Sequence, residues 1–222
     1  MSMKSLSLVA AAALALCAGV AQAADVPVDL AVNGSFSAGL TGWTTFNTSG
    51  GSNGTISAAT GSAVLDTGVP GFPMTLGIKN ANIGIGVVKP NELVTIAFDV
   101  KGSYDAGGVT FAEFFSELSG GGVSKAVLLG GAPLFAASQC SGFNANTFTR
   151  CTFTTTTGSN VDGGVTLQLV SSTGGANGSL AMTTFDNVTI DVMRPVPEPG
   201  TYALMLAGLA GVGVLAKRRR QA

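Results

Sequence analysis

Chemistry in a protein starts with groups that hold protons, metals or electron pairs, and this sequence supplies few of them. Its 222 residues contain no histidine. Histidine-activated serine or cysteine nucleophiles, histidine-ligated zinc and haem held by a proximal histidine are therefore excluded. Glu113 and Glu117 form the closest carboxylate pair away from the termini. On a strand both point to one face, about 13 Å apart, well outside the ~5–9.5 Å that glycosidase pairs use. On a helix they would be neighbours, yet nothing around them completes an active site. Gly107-Gly108 and Gly120-Gly121-Gly122 lack the following Lys-Ser/Thr step of a phosphate-binding loop. The sequence reads as non-enzymatic.

Three cysteines remain as reactive groups, and their fate depends on compartment. Met1 to Ala23 has the parts of a secretory signal: Lys4, an apolar run from Leu6 to Val20, and Ala21-Gln22-Ala23 before Ala24. A signal peptidase is the implied partner, cutting between Ala23 and Ala24. Leu16 before Cys17 does not suit a lipidated cysteine, so Cys17 leaves with the signal. Cys140 and Cys151 then remain in an oxidising compartment, flanking a turn-like Ser141–Asn146 segment. A disulfide between them is expected.

Charge points the same way. Between Ala24 and Pro199 all twelve acids face six bases, a net charge near −6. No basic face for nucleic acid can be assembled from that balance. The remaining bases cluster at the ends, four of them as Lys217-Arg218-Arg219-Arg220. They follow Val196-Pro197-Glu198-Pro199-Gly200-Thr201 and an apolar Tyr202 to Ala216. A helix from Thr201 to Ala216 would span roughly 24 Å, slightly short of the ~30 Å hydrocarbon core. The basic cluster would stay cytoplasmic, leaving the body outside. An ordinary single-pass anchor is the plainer alternative.

The order of these parts resembles the PEP-CTERM sorting signal of Gram-negative bacteria, also termed the ice-binding protein C-terminal type, although the element itself does not bind ice. The resemblance implies that Pro197, Glu198, Pro199 and the Lys217–Arg220 cluster are sorting residues. It implies recognition by an exosortase-type enzyme after transient anchoring in the inner membrane through a C-terminal helix. It also implies a place at the cell surface or in an exopolysaccharide, biofilm or other extracellular matrix.

The elements between the two addresses are strand-like. Ser62–Asp66, Thr75–Ile78, Leu93–Lys101, Val109–Leu118, Phe148–Thr157, Val165–Val170 and Val188–Val192 are rich in Val, Ile, Thr and Phe between Gly-, Ser- and Asn-rich breaks. Val94, Ile96, Phe98 and Val100 share one face, and Val165, Leu167 and Leu169 another. Phe111 to Leu118 also suits one or two helical turns. The whole predicts an all-β sandwich over residues 24–193, between a signal peptide at 1–23 and a sorting tail at 194–222.

Asn33-Gly34-Ser35-Phe36 with Leu40-Thr41-Gly42-Trp43, and Phe185-Asp186-Asn187-Val188-Thr189-Ile190, resemble the first and last strands of galactose-binding-like jelly rolls. Phe148–Thr154 resembles their penultimate strand. That family includes many carbohydrate-binding modules, so the resemblance implies a jelly-roll-like sandwich and polysaccharide as a possible partner. It also implies a structural Ca²⁺ where the terminal strands meet. Asp186 matches one of its carboxylates, but Ser37 stands where the other belongs. Otherwise Asp186 ends a strand and accepts backbone hydrogen bonds, and the protein has no cofactor. Trp43 reads as a core residue and Tyr104 as part of a Gly102–Gly108 turn, so a sugar-stacking platform is poorly supplied.

Overall fold

In the computed structural model, residues 24–48, 54–58, 61–68, 72–105, 107–116, 123–131, 140, 142–174 and 178–196 are described, with 205, 208 and 209. The signal peptide, Cys17, Glu117, most of the C-terminal apolar segment, Pro197–Pro199 and Lys217–Arg220 lie outside the described residues. Expectations of terminal helices fall there too. Among the described residues no helix is long and apolar enough to cross a membrane. The chain divides into two compact units, 27–192, and 1–26 together with 193–222.

Among the described residues eleven strands run in chain order: β1 (Ala24–Asp29), β2 (Thr44–Asn47), β3 (Thr55–Ser57), β4 (Ala63–Asp66), β5 (Pro73–Ile83), β6 (Leu93–Asp105), β7 (Gly108–Ser116), β8 (Val123–Gly131), β9 (Thr149–Thr156), β10 (Val165–Gly174) and β11 (Leu180–Val196). One sheet has the order β3-β4-β11-β6-β9, with β1 also on β11, and the other β2-β5-β10-β7-β8. From β4 to β11 the chain repeatedly crosses between sheets, and every register determined is antiparallel. The result is a jelly-roll-like β-sandwich.

Period-two patterning explains why these strands form. Val94, Ile96, Phe98 and Val100 of β6 are fully buried, as their spacing predicts. They meet Leu167 and Leu169 of β10 and Met74, Leu76 and Ile78 of β5 in one core. Full burial of each such side chain contributes about 1.5–3 kcal/mol. Phe98 stands edge-on to both Phe185 and Phe153, at centroid distances of 5.7 and 6.2 Å. Hydroxyls cross the same core: Ser171 of β10 donates to Thr183 of β11 at 2.8 Å, and Thr110 of β7 bonds the same oxygen. A buried hydroxyl left unpaired would cost about 1–3 kcal/mol, so this trio ties the sheets in one register.

The structure settles one open alternative and revises several boundaries. Phe111–Ser116 belongs to a strand, because Phe114 and Ala112 face the core while Phe111, Glu113 and Phe115 face outward. Tyr104 lies on β6 rather than in a turn. Asn33–Phe36 is a turn, not a first strand, with Asn33 and Phe36 at φ 51° and 49°. Its conformation is fixed by side chains. The Asn33 amide donates to Gly39 and Thr41 carbonyls, and buried Asn80 bonds both backbone groups of Val32 and the Gly42 carbonyl.

Candidate functional site

The two sequence motifs do come together. Val188 donates its amide to the Gly34 carbonyl at 2.9 Å, and Phe36 is fully buried against Trp43, with ring centroids 5.0 Å apart. Trp43 is a core residue, as expected, and its Nε1 donates to the Asn33 carbonyl. This corner therefore serves packing.

Asp186 is held by neighbouring hydrogen-bond donors. Its Oδ2 accepts from Ser62 at 3.2 Å and its Oδ1 from the Asn187 amide at 2.7 Å. Ser37 is exposed and bonded to Ser35. Among the described residues no three His, Cys, Asp or Glu side chains stand close enough to hold an ion. Ser37 therefore brings no second carboxylate to Asp186. Asp186 instead sits opposite Asp99 at a β-bulge, where Asn187 adopts φ 47°. Two carboxylates facing across strands repel. Arg150 relieves this by pairing with Asp99 at 3.4 Å and reaching the Asn187 carbonyl, while the Asn187 amide donates to Asp99 at 2.8 Å.

Glu113 is engaged likewise. It accepts from Gln168 at 2.9 Å on the outer face of the β2-β5-β10-β7-β8 sheet. Its sequence partner Glu117 lies outside the described residues.

The expected disulfide forms. Cys140 and Cys151 are bonded, both nearly buried, with Cα atoms 5.5 Å apart. It closes the loop that leads into β9. That loop turns back over β6: Gly102 donates its amide to the Asn144 carbonyl at 2.9 Å, and Phe143 stacks on Tyr104 at 5.9 Å and 12°. One face of the Tyr104 ring is thus taken by Phe143.

Between this loop and β4 lies a groove of about 470 Å³ on the outer face of the other sheet. Lys101 to Ser103 of β6 and Met182 and Thr184 of β11 form its floor. Ala145 and Phe148 wall one side, Ser62 and Val64 the other. The alternation of β6, β11 and β4 produces this face, since residues 100, 183 and 65 point into the core and their neighbours outward. The Lys101 ammonium lies 4.6 Å above the Phe148 ring. Sequence reading missed the groove. Its walls come from segments far apart in the chain, and Phe148 reads as an ordinary strand residue.

Comparison with known proteins bears on the two halves separately. Residues 195–220 match the PEP-CTERM protein-sorting motif, which implies exosortase-dependent export and surface sorting. The matched stretch contains Pro197, Glu198, Pro199 and the Lys217–Arg220 cluster. No curated protein matches the chain. Among solved structures, the chain is similar to a module described as "CBM4 structure and function", at 15% identity and TM-score 0.47, over 71% of this chain and 99% of that one. It is similar to the N-terminal cellulose-binding domain of Cellulomonas fimi β-1,4-glucanase C at 14% identity and TM-score 0.43, over 77% and 99%. A third is the CBM22-1 xylan-binding domain of Paenibacillus barcinonensis Xyn10C, at 14% identity and TM-score 0.43, over 80% and 100%. These likenesses concern the path of the chain.

Proposed function

We propose that this protein is an exported, non-catalytic component of a cell surface or extracellular polysaccharide matrix, delivered by an exosortase-type system. The observation that carries this reading is the sorting motif over residues 195–220, which overlaps the last strand and so makes the sandwich its cargo. The signal peptidase removes residues 1–23. The C-terminal segment then holds the precursor in the inner membrane, with Lys217–Arg220 on the cytoplasmic side, until the exosortase acts near Pro197–Pro199. The oxidised Cys140–Cys151 pair suits the exported compartment.

A second reading, binding of a surface or matrix polysaccharide, is favoured by the groove on the β3-β4-β11-β6-β9 sheet, where hydroxyl, ammonium and aromatic groups converge. Fractionation of a native-type host with and without its exosortase tests the sorting. The protein is expected in the surface and matrix fractions of the first and in the inner membrane of the second. An unchanged distribution refutes exosortase dependence.

A further inference from the structure

We propose that the groove between β4 and the disulfide-closed loop binds a short stretch of a neutral sugar chain. This rests on the polysaccharide reading and specifies its site and ligand class. Three polar groups at the groove are unspent among the described residues. Lys101 has the Phe148 ring as its contact and forms neither ion pair nor hydrogen bond, while the Ser103 and Thr184 hydroxyls have no partner. Beside them, Phe148 and Met182 are each 41% exposed. A pyranose presents this same combination, hydroxyls around its rim and C–H groups on its faces. The ring hydroxyls bond to the ammonium and the two side-chain hydroxyls, and the apolar sugar face packs on Phe148 and Met182. The volume, about 470 Å³, falls within the ~300–1,000 Å³ usual for small-ligand sites.

Charge selects a neutral chain over an acidic one. Asp66 and Asp186 occupy outward positions on the same sheet as Lys101, Asp99 beside them is paired with Arg150, and the region from Ala24 to Pro199 carries twelve acids against six bases. A polyanion would be repelled by this surface. The wall is held in place before any ligand arrives. The Cys140–Cys151 bond, the Gly102–Asn144 hydrogen bond and the Phe143–Tyr104 stack fix the loop, which lowers the ordering cost of binding.

The test is a titration of the isotopically labelled exported protein with neutral hexasaccharides (β-1,4-glucan, β-1,3-glucan and β-1,4-mannan) and with a galacturonate hexamer. At least one neutral probe should shift the amides of Lys101, Ser103 and Met182, with little dependence on salt. Phe148→Ala and Lys101→Met should each weaken that binding at least tenfold while leaving the melting temperature within about two degrees of the wild type. Shifts confined to the opposite sheet, or unchanged affinity in both variants, overturn the groove but leave polysaccharide binding standing. Binding of the galacturonate probe alone overturns the neutral assignment. Silence towards every probe and towards polysaccharide isolated from the host matrix overturns both.

Discussion

Removing the Cys140–Cys151 bond should cost stability through the unfolded chain. The cysteines are separated by 11 positions, so the bond closes a loop of about a dozen residues. In the chain-entropy relation that loop is worth about 9.5 cal/mol/K, or about 3 kcal/mol at 25 °C. For a domain of this size each kcal/mol shifts the midpoint by about 2–4 °C. The double variant Cys140→Ala/Cys151→Ala is therefore expected to melt about 6–12 °C below the oxidised wild type in calorimetry. Wild-type protein reduced before the scan should fall by a similar amount. Alanine is the better replacement because both positions are nearly buried and a serine hydroxyl there would need a partner. A drop below about 2 °C in both samples would show that the loop is already constrained without the bond, and would refute the entropic reasoning.

Two further outcomes follow from the terminal-strand corner and its neighbours. A β-carbon on Gly34 would collide with the Val188 backbone carbonyl, whereas one on Gly77 would meet only the tip of the Phe46 ring. Chemical denaturation should therefore show Gly34→Ala losing about 2–3 kcal/mol and Gly77→Ala about 1 kcal/mol or less, and equal losses would contradict this. A chelator should leave the melting temperature of the exported protein unchanged, because the Asp186 oxygens are bonded to Ser62 and Asn187. A chelator-induced fall restored by Ca²⁺ would show that the corner holds an ion after all.

Strands were legible where one face alternates cleanly. The expected Leu93–Lys101 became Leu93–Asp105, and Phe148–Thr157 became Thr149–Thr156. Polar residues inside strands hid the rest. β5 runs on past Ile78 through Lys79-Asn80-Ala81-Asn82, a stretch that reads as a turn until Asn80 is seen buried, bonded to Val32 and Gly42. β11 begins at Leu180, eight residues before the expected Val188, because Asp186-Asn187 imitates a strand end but forms a bulge within the ladder. The short edge strands β2 and β3 carry too few alternations to stand out, and β1 and β8 were missed as well. The disulfide was readable from compartment and spacing. The groove was not, because register alone brings Val64, Lys101 and Thr184 onto one face.

Intact-mass spectrometry of the protein recovered from the surface or matrix of an exosortase-competent host tests the central claim most directly. The account predicts a species that begins at Ala24, ends near Pro199 and is two mass units lighter than its reduced form, through one disulfide. A surface product that still carries Lys217 to Arg220 would contradict exosortase processing and leave the C-terminal segment as a permanent anchor.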